Sequence, residues 1–173
     1  MGYGQLMEVY KDMGLPKEVA ERYGLGGMEG THAIGHTRMA TESAVTTEHS
    51  HPFTAASDMC LVHNGSLSTH NRLREWLRRR RHEFETDNDS EVAARYFAHR
   101  LGEGVALAEA LEAGLADLDG FYTFTMGTRD GFAVLRDGIA CKPAVLAETD
   151  DWVAMASEFR SLANLPGVEK AKI

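Results

Sequence analysis

Four polar clusters interrupt the apolar segments of this chain: GHTRMAT (Gly35 to Thr41), HSHPF (His49 to Phe53), HNGS (His63 to Ser66) and TDNDSE (Thr86 to Glu91). Each stands in or beside a strand-like run, and strand ends are where sites are commonly built. An arginine within AIGHTRMA, Arg38, needs a carboxylate or phosphate if it faces inward, and otherwise makes a structural ion pair or sits on the surface. Asn64-Gly65 has two readings, a hairpin turn or an oxyanion-binding pair made of a side-chain amide and a backbone N–H. Asp89 can cap a helix or face a substrate ammonium.

The sequence has 8 histidines, with His32 and His36 four apart and His49 and His51 two apart. On a strand the second spacing puts both rings on one face. Without HExxH, or a carboxylate at a fixed offset, this is a weak argument for a metal, and satisfied core or surface histidines are the simpler reading. The cysteines, Cys60 and Cys141, are far apart and form no CxxC, so neither a zinc cluster nor a disulfide framework is indicated. GxGxxG, GxxxxGK[ST] and GxSxG are all absent, which removes the dinucleotide, P-loop and α/β-hydrolase readings.

The elements that must position these clusters follow from periodicity. In STHNRLREWLRRRR, Leu73, Trp76, Leu77 and the stem of Arg80 fall on one helical stripe, with the remaining arginines on the outer face. A second helix is predicted over DSEVAARYFAHRL, capped by Ser90 or Asp89, with Val92, Tyr96, Phe97 and Leu101 inward. A third runs through VALAEALEAGLADL on Leu107, Leu111, Leu115 and Leu118, and stops at Asp119-Gly120. FYTFTMGT, GFAVLRD, PAVLAET and DWVAMAS then read as strands between turns at Arg129-Asp130-Gly131, Asp137-Gly138 and Asp150-Asp151, before a helix-like EFRSLANL. Towards the N-terminus, QLMEVYKDMG and KEVAERYG look helical, GLGGMEG reads as a loop, and THAIGHTRMA and MCLVHNG are strand candidates. Strands, a helical middle and more strands give an α+β layering rather than alternating βαβ units.

At 173 residues and 43% hydrophobic composition the chain fits a single globular domain, residues 1–173, with a real core. A formal charge of -8 works against non-specific attraction to nucleic acid or an anionic membrane. Arg78 to Arg81 is therefore read as a solvated helix face, with docking to an acidic partner as the alternative. The cysteine usage and the absence of a secretory signal or a membrane-length apolar run point to the cytoplasm.

In this order the clusters resemble the class II glutamine amidotransferase domain of the N-terminal-nucleophile hydrolases. GHTRMAT is similar to that family's GHTRWAT segment, SHPF to AHP, VHNGSLSTHNRLR to its HNG segment with the following helix, and ETDNDSEV to TDSE. Arg136-Asp137 with Lys142-Pro143 resembles RDxxxxKP, and Ala156-Ser157-Glu158 resembles ASE. The likeness runs from His32 to Leu165 and looks closest to stand-alone subunits related to glutamate synthase, including the N-methylglutamate synthase type. It implies a four-layer αββα sandwich.

The resemblance also implies roles. Arg38 would hold the glutamine α-carboxylate, Asp89 the α-ammonium, Thr41 would line the pocket, and Asn64 with Gly65 would form the oxyanion hole. The family's nucleophile is an N-terminal cysteine whose own α-amino group serves as base, giving a thioester, ammonia and glutamate. The sequence begins Met1-Gly2, with neither an MCGI-like start nor an RGPDS-like segment. The expectation is a domain incomplete at its N-terminus, lacking the catalytic cysteine. Met39 in place of Trp and Glu42 in place of His are smaller departures, in the pocket lining. The implied activity is glutamine hydrolysis with delivery of ammonia to a synthase partner, in an oligomer. No cofactor is expected on this chain, with flavin and iron–sulfur groups on partner subunits. The alternatives are a non-catalytic glutamine-binding or scaffold subunit, and a histidine-based metal protein.

Overall fold

The computed structural model describes residues 2–3, 6–38, 46–56 and 58–173. Its centre is an antiparallel pair of long strands, β4 (Met59–Leu67) and β5 (Gly120–Thr128), in continuous register from Met59↔Thr128 to Leu67↔Gly120. β3 (Phe53–Ala56) and β6 (Gly131–Arg136) complete a sheet ordered β3-β4-β5-β6. Alternation along the two long strands sorts the side chains. Met59, Leu61 and Leu67 of β4, with Tyr122, Phe124 and Met126 of β5, join the hydrophobic core, whereas Val62, Asn64, Thr123 and Thr125 face the other way into a cleft.

The helical layer covers the first of these faces. α3 (Asp89–Gly102) packs on β3 and β4, while α2 (His70–Arg78) and α4 (Leu107–Asp117) pack on α3. Val92, Tyr96 and Phe97 are buried as the periodicity predicts, and Phe97 meets Phe124 edge-on at 6.0 Å. The N-cap of α3 is Asn88, accepting from the Ser90 N–H at 2.8 Å, and not Ser90 or Asp89. Those two side chains are engaged elsewhere, as described below. In α4, Leu115 is 48% exposed, contrary to the four-leucine stripe. Gly114 turns inward instead, so close to Phe97 that a Cβ there would lie 2.8 Å from the ring.

Beyond the cleft, β7 (Val145–Glu148) and β8 (Val153–Ala156) form a second antiparallel sheet, extended by a bridge from Lys172 to Glu148. A short α5 (Phe159–Leu162) packs on β8. The α+β layering expected from the order of elements is the architecture observed.

The front of the chain departs from expectation. Residues 6–14 of QLMEVYKDMG are not helical: β1 (Gly2–Tyr3) pairs with β2 (Leu6–Met7), and irregular chain leads to α1 (Pro16–Arg22). The Asp12 carboxylate accounts for this. It bonds the Met13 N–H at 2.8 Å, the Tyr23 hydroxyl at 3.2 Å and the Arg22 guanidinium, tying the segment back onto α1. THAIGHTRMA is likewise no strand over residues 33–38, although His32 forms an isolated bridge and its Nε2 meets the Thr128 carbonyl at 2.8 Å. Thr41, Met39 and Glu42 lie outside the described residues.

Candidate functional site

Asn64 sits near the end of β4, on the face directed away from the helices. There it lines a cleft of about 210 Å³ with Gly35, His36, Thr123, Thr125 and the Ala154–Ser157 stretch of the second sheet. Asn64-Gly65 is not a hairpin turn, because both residues are paired within β4, opposite Thr123 and Tyr122. Gly65 adopts φ 142°, and a Cβ on it would fall 1.9 Å from the Phe121 carbonyl oxygen. Only glycine fits this position, and it leaves its exposed backbone beside the Asn64 amide.

Arg38 is half-buried, and its Nη1 donates to the His49 carbonyl at 2.8 Å. Asp89 lies at the opposite end of the arrangement, on the first turn of α3. Its Oδ2 accepts from the Leu67 N–H at 2.8 Å, and its Oδ1 lies 3.4 Å from the Ser90 hydroxyl and 3.7 Å from His63 Nδ1. Burial pushes the Asp89 carboxyl up, but the His63 ring and the Leu67 N–H outweigh it and hold its pKa at about 2. The group is therefore a carboxylate at neutral pH, with acceptor capacity beyond these contacts. Among the described residues, Arg38, Gly65 and Asp89 are not part of the cleft lining, whereas Asn64 is.

Between Arg38 and Asp89 lies a buried cluster that the spacing argument divided differently. His49 and His51 are not on a strand and do not act together: His49 bonds Thr46 and lies 3.4 Å from Asp87, while His51 turns inward. The His51 ring packs against His36 at 4.2 Å with a 35° tilt, and its Nε2 lies 3.0 Å from the Ser90 hydroxyl. His63 Nδ1 reaches the same hydroxyl at 2.9 Å. Burial, then the neighbouring His36 and His63, lowers the His51 pKa to about 3, and burial lowers His36 as well. Both rings are neutral at pH 7. Among the described residues, no group of three or more His, Cys, Asp or Glu is arranged to hold a metal ion. The His32/His36 spacing also breaks apart, since His32 binds the Thr128 carbonyl instead.

Sequence reasoning missed Arg74. It is 6% exposed on α2, and its guanidinium donates to the Thr86 and Asn88 carbonyls at 2.7 and 3.1 Å, fixing the loop that delivers Asp89. An arginine on the inner side of the α2 stripe was the available signal. Glu91, also buried, accepts from the Glu85 and Thr86 N–H groups and holds the same loop.

Residues 36–164 match the family model described as a glutamine amidotransferase domain. The chain belongs to the class II glutamine amidotransferase family. It is 58% identical to the glutamine amidotransferase-like protein GlxB of Rhizobium meliloti (strain 1021), over all of this chain and 58% of that protein. It is 43% identical to a putative glutamine amidotransferase of Methanothermobacter thermautotrophicus, over 90% of this chain and 52% of the relative. The chain thus spans about half the length of these amidotransferase relatives. In three dimensions it is similar to the glutamine phosphoribosylpyrophosphate amidotransferase of B. subtilis, with a TM-score of 0.81 and 27% identity over 99% of this chain and 36% of that one. The fold is accordingly that of the N-terminal-nucleophile amidotransferases.

Proposed function

We propose that this chain supplies the glutamine-recognising part of a glutaminase that hydrolyses L-glutamine to glutamate and passes ammonia to a synthase partner of the glutamate-synthase or N-methylglutamate-synthase kind. Arg38 takes the α-carboxylate and Asp89 the α-ammonium. Asn64 and the Gly65 N–H receive the oxyanion, and Thr41 lines the pocket. The observation that carries the reading is the Asn64-Gly65 pair: an amide side chain on the cleft wall next to a backbone position that admits no side chain.

A second reading, a glutamine-binding or scaffold subunit without turnover, draws on the cysteines. Cys60 is buried, with burial pushing its thiol up, which disfavours the thiolate, and Cys141 is exposed on a loop outside the cleft lining. The two readings separate in one experiment on the protein purified from its native source, namely titration calorimetry with L-glutamine alongside an ammonia-release assay. Binding with ammonia release supports the hydrolase, and binding alone supports the second reading. No binding, with Arg38→Ala and Asp89→Asn indistinguishable from wild type, removes both.

A further inference from the structure

Arg38 and Asp89 come from separate parts of the chain, and their spacing must match an amino acid within a fraction of an ångström to hold both of its charged groups. The contacts between them form a continuous path. Residues 36–38 and 49–51 run side by side, joined by the Arg38 guanidinium on the His49 carbonyl and by the tilted His36–His51 ring contact. From His51 the path crosses to the Ser90 hydroxyl, which is 2% exposed and directly follows Asp89 in sequence. We propose that Ser90 is a positioning residue that sets the distance between Arg38 and Asp89, and so the selectivity for an α-amino acid over an amide carrying only the carboxylate. This rests on the reading of Arg38 and Asp89 as a glutamine clamp.

The Ser90 hydroxyl is the point where three side chains meet. The Asp89 carboxylate, 3.7 Å from His63 Nδ1, favours the tautomer that carries its proton on that nitrogen. Ser90 Oγ meets His63 Nδ1 at 2.9 Å and His51 Nε2 at 3.0 Å, and its own proton is directed at Asp89 Oδ1, 3.4 Å away. His51 Nδ1 and His36 Nδ1 are buried without a hydrogen-bond partner among the described residues; the Ser90 contact and the rings of His36 and Phe53 hold His51, and a backbone hydrogen bond at His63 also holds His36. Removing the hydroxyl takes away the polar contact of His51 Nε2 and leaves ring packing alone to set the position of His51, and with it the segment carrying the His49 carbonyl that Arg38 grips. It also releases the neighbour of Asp89 Oδ1.

The test compares L-glutamine with glutaramic acid, which is glutamine without its α-ammonium, by calorimetry on the full chain. Wild type is expected to prefer glutamine by about tenfold or more, as a charge-assisted contact gives. Ser90→Ala should bring the preference to within about threefold, and Ser90→Thr, which keeps the hydroxyl, should restore it. Should Ser90→Ala fail to fold, Ser90→Cys, close in size but a weak donor, takes its place. An alanine variant that keeps the full preference, or weakens both ligands equally, overturns the proposal. A wild-type chain that binds neither ligand overturns the clamp reading itself, and that result is visible before any substitution is made.

Discussion

At Gly65, a φ of 142° and the Phe121 carbonyl oxygen 1.9 Å from where a Cβ would stand leave no room for any other residue. Gly65→Ala should therefore cost about 3 kcal/mol or more, by strain and displacement of the β5 backbone, read as a lower urea midpoint with an unchanged slope. His51 makes a prediction about pH. Its folded pKa, about 3, lies below its ordinary value of 6.5, so an unfolded chain takes up a proton that the folded one refuses. Stability should be fully present above about pH 6.5 and fall progressively as the pH drops towards 3. Asp89, held at about 2 from an ordinary value of 3.8, adds a further loss only below about pH 4. Denaturant unfolding at pH 7.5, 6 and 5 should show the decline, and His51→Gln should flatten it.

Among the elements, α2 does more than cover a hydrophobic face. The Arg74 guanidinium fastens the 84–88 loop and lies over the Phe84 ring at 4.6 Å, so α2 indirectly aims Asp89. Arg74→Met should destabilise the fold by about 2 to 4 kcal/mol, because two buried carbonyls lose their donor. Amide exchange should quicken first in residues 84–89. Arg74→Lys should recover only part of the loss, since an ammonium cannot span both carbonyls as the planar guanidinium does. The tetra-arginine run that follows behaves as its surroundings suggest: Arg80 stacks on Trp76 at 3.7 Å and Arg78 pairs with Glu75, and both are exposed. Phe97, enclosed between α4 and the sheet, is the matching test of the core, with Phe97→Ala expected to cost about 3 to 5 kcal/mol in the same urea assay.

Across the whole molecule, the cleft lies between two sheets that the chain reaches far apart in sequence, with Asn64 on one wall and Ala154 to Ser157 on the other. No helix among the described residues is long and apolar enough to cross a membrane. The two cysteines report on the state of the whole fold: Cys141 should react with an aromatic disulfide reagent within seconds to minutes, and Cys60 only as the chain unfolds, because the thiolate is disfavoured and shielded. Equal rates would mean that the central sheet is not formed. Much of this was legible in the residues themselves. The helical stripes on Leu77 and Phe97, the turns at Asp130-Gly131 and Asp137-Gly138, and the ordered polar motifs are local patterns, and local periodicity and motif spacing are properties of sequence. What the sequence could not decide was which side chain answers which. Asn88 rather than Ser90 caps α3, His51 pairs with His36 rather than His49, and Asp12 holds residues 6–14 out of a helix. Each of these outcomes depends on a partner brought in from another element, and the energy of a hydrogen bond or ion pair is fixed only once tertiary packing has set its distance and taken it out of water.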